Sequence, residues 1–153
     1  MITDTPTHLD DQGRLRMVDV GDKPPLRRTA IAEAFLIAAP ETIDLVEAGR
    51  VPKGEALAAA RIAGIQAAKQ CGMLIPLCHP LPIDAVNVDF ERTERGRLRI
   101  VATARTIART GVEMEALTAV SLAALTLYDM AKAVDKAMRI DGVRLVEKTK
   151  ELP

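Results

Sequence analysis

Residues 111–137 constrain the fold more than any other part of the chain. Their spacing predicts one long helix with a core stripe of Leu117, Val120, Ala124, Leu127, Ala131 and Val134 at i+3/i+4 intervals. Leu122, Leu125 and Met130 fall off that stripe. The first turns are therefore apolar nearly all round, and such a helix needs burial on more than one side. A chain of 153 residues has the length of one domain, which offers one side only. A subunit interface supplies the other, so the sequence predicts an oligomer.

The other elements fall into place around this helix. Ala30, Ala32, Ala34 and Leu36 alternate with Ile31, Glu33, Phe35 and Ile37, which predicts a strand over 28–39. Pro40 opens a short helix over 40–48, stopped by Gly49. An alanine-rich helix over 55–70 follows, ended by Cys71-Gly72. Residues 73–82 are apolar but carry Pro76, Pro80 and Pro82, so they read as a loop that lines something. Strands over 83–91 and 97–104, joined by a turn at 93–96, read as a hairpin, and a last strand covers 142–147. The order β-α-α-β-β-α-β, with the short helix set aside, is the ferredoxin-like split βαβ plan. The expected class is α+β, an antiparallel sheet with helices on one face. Residues 1–27 read as a largely irregular segment, and 28–150 as a single catalytic domain.

Charge and composition narrow the function. Lys+Arg and Asp+Glu both number 21, so the net charge is zero, which argues against a bulk nucleic-acid binder. Phe35, Phe90 and Tyr128 are the only aromatics, which disfavours an RNA-binding module of similar topology. Two cysteines make no disulfide framework. A zinc set of Cys71, Cys78 and His79 is weakly supported, because Cys-x6-Cys-His is not a standard ligand spacing. The start of the chain lacks a basic region followed by an apolar run. No stretch reaches the roughly 18 uninterrupted apolar residues of a membrane span. The expectation is a cytoplasmic protein with no nucleic-acid or membrane partner.

Several polar residues interrupt apolar surroundings. His79 in Leu77-Cys78-His79-Pro80 reads as a backbone-bonded turn histidine or as a general acid/base. Glu113 and Glu115 open the long helix, where its dipole favours carboxylates, and their spacing sends them to different sides. Asp129 and Lys132 form an i, i+3 pair, ordinarily a weak surface ion pair. Beside an apolar interface the same pair has tunable pKa values, with burial able to make the lysine a base. Lys53, after Pro52 at a helix start, reads either as a solvated lysine or as a phosphate ligand. A regulatory anion-binding oligomer would account for several of these residues, though not for Asp129 beside Lys132.

Longer motifs run in order along the chain. They are Met17-Val18-Asp19-Val20, Lys53-Gly54, the run from Ala60 to Lys69, Leu74-Ile75-Pro76-Leu77-Cys78-His79-Pro80-Leu81, Thr110-Gly111-Val112-Glu113-Met114-Glu115-Ala116-Leu117, and Tyr128-Asp129-Met130-Ala131-Lys132-Ala133-Val134. Together they resemble the molybdenum cofactor biosynthesis protein C family, the cyclic pyranopterin monophosphate synthases. The resemblance implies a ferredoxin-like subunit, a homohexamer built as a trimer of dimers, and sites at subunit interfaces. It implies a substrate that is a cyclised dihydroguanosine triphosphate with the ribose already bonded to purine C8. This is rearranged to a pterin carrying a cyclic phosphate, and diphosphate leaves. By the same resemblance Asp129 is the active-site acid/base, and Lys53 and Lys132 are the essential lysines. Leu77, Cys78, His79, Met114 and Glu115 match substrate-binding segments, while Glu113, Lys69, Arg28, Asp19, Lys23 and Lys148 match further polar positions of the pocket. The residues define no metal set and no required cofactor; a triphosphate guest is compatible with an accompanying Mg2+.

Overall fold

The structure, a computed structural model, describes residues 7–153. The readings made on residues 1–6 lie outside the described residues. Between residue 7 and the first strand the chain makes turns and one bridge, Leu9 to Leu15. The elements then run β1 (Leu26–Ile37), α1 (Pro40–Glu47), α2 (Ala56–Leu74), β2 (Ala85–Glu94), β3 (Arg97–Ala108), α3 (Glu113–Ala131) and β4 (Arg139–Glu151). The sheet order is β2-β3-β1-β4 and every pairing is antiparallel. This is the split βαβ arrangement expected from the element order.

One face of the sheet is small and apolar. Ala30, Ala32, Ala34 and Leu36 of β1 lie beside Ala104, Ala102, Ile100 and Leu98 of β3, all buried. Flat rows of alanine bring a helix close to the strands, and α3 packs there through Ala116, Val120, Ala124 and Leu127. α2 lies against α3 just as closely. A side chain at Gly64 would begin 2.9 Å from the Ala119 carbonyl oxygen and 3.0 Å from a Val88 methyl group. With so few aromatic residues, the core is filled by drawing backbones together.

The opposite face of the sheet is polar, with one buried charge at its centre. Glu33 is 3% exposed and accepts hydrogen bonds from Arg99 Nε and Arg144 Nε, each at 2.6 Å. Arg97 lies 4.0 Å over the Phe35 ring beside it. Burial alone would raise the Glu33 carboxyl, but hydrogen bonds and charge from Arg144 and Arg99 outweigh it and hold the group below its ordinary value.

Three boundaries differ from those the sequence predicts. α3 stops at Ala131, not at 137. Asp135 is drawn away to cap α1, where its Oδ2 accepts from the Ala39 N–H at 2.9 Å and from Thr42 Oγ1 at 3.1 Å. Val134, expected on the core stripe, therefore lies outside the helix and exposed. α2 continues through Cys71-Gly72 to Leu74. Gly72 stays helical because the Pro80 backbone packs where its side chain would be, 2.8 Å from an added Cβ. β4 is 13 residues long rather than six, because its pairing with β1 extends beyond its apolar part.

α3 is long and apolar enough to cross a membrane by length and composition. Here it is the core helix of the sheet, with the carboxylate of Glu115 buried in its first turn. Leu125 remains 53% exposed on its outer side, as do Ile62 and Met73 on α2.

Two outcomes follow from this packing. Gly64→Ala gains helix propensity of about 1 kcal/mol but pushes α2 off α3. The net result expected in urea unfolding is a loss of about 1–2 kcal/mol. The depressed Glu33 pKa means that its contribution to stability is present above the unfolded carboxyl value and lost as pH falls through the folded one. Glu33→Gln is expected to be less stable at neutral pH by about 1–3 kcal/mol and to show a shallower loss of stability in acid, read by denaturation midpoints across pH.

Candidate active site

Lys53, Asp129 and Lys132 meet although 76 residues separate the first two. Pro52 fixes the turn between Val51 and Gly54 ahead of α2, and this turn aims Lys53 at the last turn of α3. Lys53 Nζ lies 2.7 Å from Asp129 Oδ2, and Lys132 Nζ lies 2.7 Å from Asp129 Oδ1. The carboxylate thus accepts from one ammonium on each oxygen. Hydrogen bonds from Lys132 and then Lys53 pull its pKa down to about 2. In return the Asp129 hydrogen bond raises Lys132. Asp129 is 53% exposed and Lys132 54%. The expected burial-lowered lysine is therefore not found within a single chain: Lys132 is a cation, and the unprotonated group of the cluster is Asp129.

A second group of residues surrounds the start of α3. The proline-rich loop after α2, expected to line something, forms the wall of a cavity of about 540 Å³ with Leu77, Cys78 and His79. Lys23, Glu113 and Met114 complete much of its lining. His79 Nε2 lies 2.7 Å from the Val18 carbonyl oxygen. Since a carbonyl only accepts, Nε2 carries a proton and donates it. That contact also straps the Met17-Val18-Asp19-Val20 motif across the loop. Asp19 Oδ1 accepts from the Gly21 N–H at 2.8 Å, so this carboxylate shapes the turn that carries Lys23 and is not among the cavity lining.

The same cavity adjoins a smaller one of about 200 Å³, the two sharing Gly111 and Glu113. Arg28 and Lys148 line it, and so do Thr149 and Lys150, which sequence reading did not single out. Strand register was the available signal. Ala30 pairs with Lys148 and Arg28 with Lys150, so these cations share the helix side of the sheet beyond the end of α3. Arg28 is anchored by Nε donating to the Ala108 carbonyl at 3.1 Å. Burial would raise Glu113, yet the Lys148 hydrogen bond, 2.9 Å long, leaves it lowered. Three cations around a helix N-terminus suit an anion.

Glu115 points the other way, as its spacing from Glu113 requires. It is 1% exposed, and burial raises its pKa. It shares a small cavity with Lys69 and approaches Cys78, whose thiol is pushed up to about 12 by burial and by the Glu115 charge. No side chain caps the helix at Val112.

The two groups are not one site within a chain. Glu113 begins α3 and Asp129 lies in its last turn, a run of about 24 Å at the α-helical rise. Cations and proton carriers are thus divided between opposite ends of a single rigid element.

The family model described as MoaC family matches residues 17–151. A cyclic pyranopterin monophosphate synthase of Thermomicrobium roseum is 56% identical over 143 residues, which cover 93% of this chain and 86% of that protein. One from Herpetosiphon aurantiacus is 58% identical over 144 residues, covering 94% and 88%. Cyclic pyranopterin monophosphate synthase 1 of Mycobacterium tuberculosis is 56% identical over 143 residues, covering 94% and 84%. The matched span takes in every strand and helix described above together with both ends of α3, and on that ground the chain belongs to the MoaC family.

Proposed function

We propose that the chain is a cyclic pyranopterin monophosphate synthase of molybdenum cofactor biosynthesis. It converts a cyclised dihydroguanosine triphosphate to cyclic pyranopterin monophosphate and diphosphate, as a phosphorus–oxygen lyase. The reading rests on similarity of more than half of all positions over nearly the whole chain. The working form is a homohexamer of three dimers in the cytoplasm, with each site shared between two copies. The observation that carries the shared site is the separation along α3. A triphosphate nucleotide cannot touch both ends of the helix in one chain, whereas a second copy can bring its Asp129 end to the Glu113 end of the first. The exposed Leu125, Ile62 and Met73 supply apolar surface for such contacts.

Each residue type then has a task. Arg28, Lys148, Lys69 and Lys23 hold the triphosphate and stabilise diphosphate as it departs. Attack of a substrate hydroxyl on the α-phosphorus requires in-line positioning more than covalent help. Asp129, ionised across the working pH range, accepts protons during opening of the purine five-membered ring, and Lys53 and Lys132 return them or steady the charge. Glu115, whose burial favours its protonated form, is a proton donor that reaches the pocket through Cys78. Leu77, Cys78, Met114 and the His79 ring contact the base, and Glu113 and Asp19 hold the cations and the turn that face it. No resident cofactor is needed for these steps; Mg2+ would enter on the triphosphate.

Incubation with the cyclised nucleotide, followed by mass analysis and diphosphate assay, tests the assignment; unchanged nucleotide overturns it. Asp129→Asn and Lys132→Ala are each expected to lower kcat by about 10²–10⁴-fold. Lys132→Ala also removes the strongest hydrogen bond on Asp129, so the carboxyl should titrate higher than about 2, measured by carbon-detected NMR. For the shared site, chains carrying Asp129→Asn and chains carrying Arg28→Ala are inactive alone. Refolded together at equal amounts they should recover about a quarter of wild-type activity, because random pairing leaves that share of sites with both intact contributions. A site contained in one chain would recover none.

A further inference from the structure

Cys71, Cys78 and Glu115 converge from the end of α2, the following loop and the first turn of α3. The two Sγ atoms are 4.0 Å apart, and Cys78 Sγ is 3.9 Å from Glu115 Oε1. One donor atom from each of the three lies within 4.8 Å of the others. Ligand atoms around a tetrahedral zinc ion, with Zn–S about 2.3 Å and Zn–O about 2.0–2.2 Å, stand about 3.5–3.8 Å apart. The cluster is therefore within small side-chain shifts of such a shell. The sequence pointed instead to His79 as third partner, but its Nε2 is engaged by the Val18 carbonyl.

A second observation points to a ligand. Glu115 Oε2 is buried and has no hydrogen-bond partner, in a residue 1% exposed. Native interiors rarely leave such an oxygen unmatched. The Cys78 thiol faces the other oxygen, Oε1, so a cation on the sulfur side satisfies Oε2 by a bidentate grip or a small turn of the carboxylate. The surroundings are suited to one. Thr118 Oγ1 lies 3.4 Å from Cys71 Sγ, placed to donate to a thiolate. Lys69 lines the same small cavity as Glu115. Cys78 borders the large cavity, which gives an entry path.

We propose that Cys71, Cys78 and Glu115 form a binding site for a thiophilic divalent cation of the zinc class. Binding displaces the two thiol protons, and any proton on Glu115, to solvent; two metal–sulfur bonds and one metal–oxygen bond form, and nothing is oxidised or reduced. The fourth position is open to water. The cation takes Cys78 out of the substrate pocket, so zinc is an inhibitor; this consequence alone rests on the proposed function.

The test uses the full-length chain, reduced and freed of metal, titrated with Co2+ as a spectroscopic probe. The expected result is one equivalent bound per chain with a sulfur-to-cobalt charge-transfer band that Zn2+ abolishes. Cys71→Ser should weaken binding by at least tenfold, since even loss of an outer partner costs about 10–100-fold, and reduce the sulfur band. Its turnover should remain but resist zinc. Absence of a sulfur band in the wild-type chain, or a Cys71→Ser chain binding Co2+ with the wild-type spectrum, overturns the proposal. If circular dichroism shows Cys71→Ser unfolded, Cys78→Ser is read in its place with the same expected loss. The cobalt spectrum needs no turnover, so failure of the enzymatic reading leaves this test intact.

Discussion

Contact between the α2 and α3 backbones at Gly64 and Ala119 sets the depth of the whole helical layer. Alanine rows on β1 and β3 let α3 settle onto the sheet, and Gly64 lets α2 settle beside α3. Dense packing without large side chains requires this closeness, since each small residue supplies few contacts of its own. Everything chemical is carried on the resulting layer. The turn holding Lys53 precedes α2, the proline-rich loop follows it, and both meet α3, one at each end. A rigid α3 of 19 residues therefore holds the Asp129 cluster and the cavity beside Glu113 a fixed distance apart.

Much of this was legible in the residues. Strand alternation, the turn at the hairpin and the proline interruptions fixed the element order, and that order fixed the topology. The paired lysines and Asp129 were named from motif resemblance, and the structure brings them onto one carboxylate; their roles in turnover remain the proposal made above. What the sequence hid was long-range. The end of α3 depends on Asp135 leaving to cap α1, a contact across 96 residues that no local period encodes. The extension of α2 past Gly72 depends on Pro80 arriving against it. β4 carries no apolar pattern over its second half, where pairing to β1 and the Lys148–Glu113 contact hold it. Spacing separates Glu115 from Glu113 and resemblance matches it to a substrate-binding segment, but its burial beside two thiols depends on long-range packing.

The electrostatics divide in the same way as the geometry. Where carboxylates meet lysines at the surface, at Asp129 and Glu113, they are held ionised. Where burial leaves a carboxyl without a cation in contact, at Glu115, the neutral form gains. A pocket assembled from both kinds holds a ready acceptor and a ready donor at one pH. Burial does not decide the outcome alone: Glu33 is nearly as enclosed as Glu115, yet its two guanidinium partners keep it charged.

The long edge strand bears on how the chain avoids unwanted association. β4 exposes a row of unpaired backbone groups, the kind of border onto which stray chains can stack into fibres. Its register against β1 breaks twice, between Ile31 and Ala32 and between Glu33 and Phe35. Its last residues carry Glu147, Lys148, Lys150 and Glu151, with the two lysines on one face. A bulged border crowded with charge offers a newcomer no straight template, and a copy arriving in register would set ammonium groups near one another. Shape and charge together guard the open side of the sheet against runaway stacking.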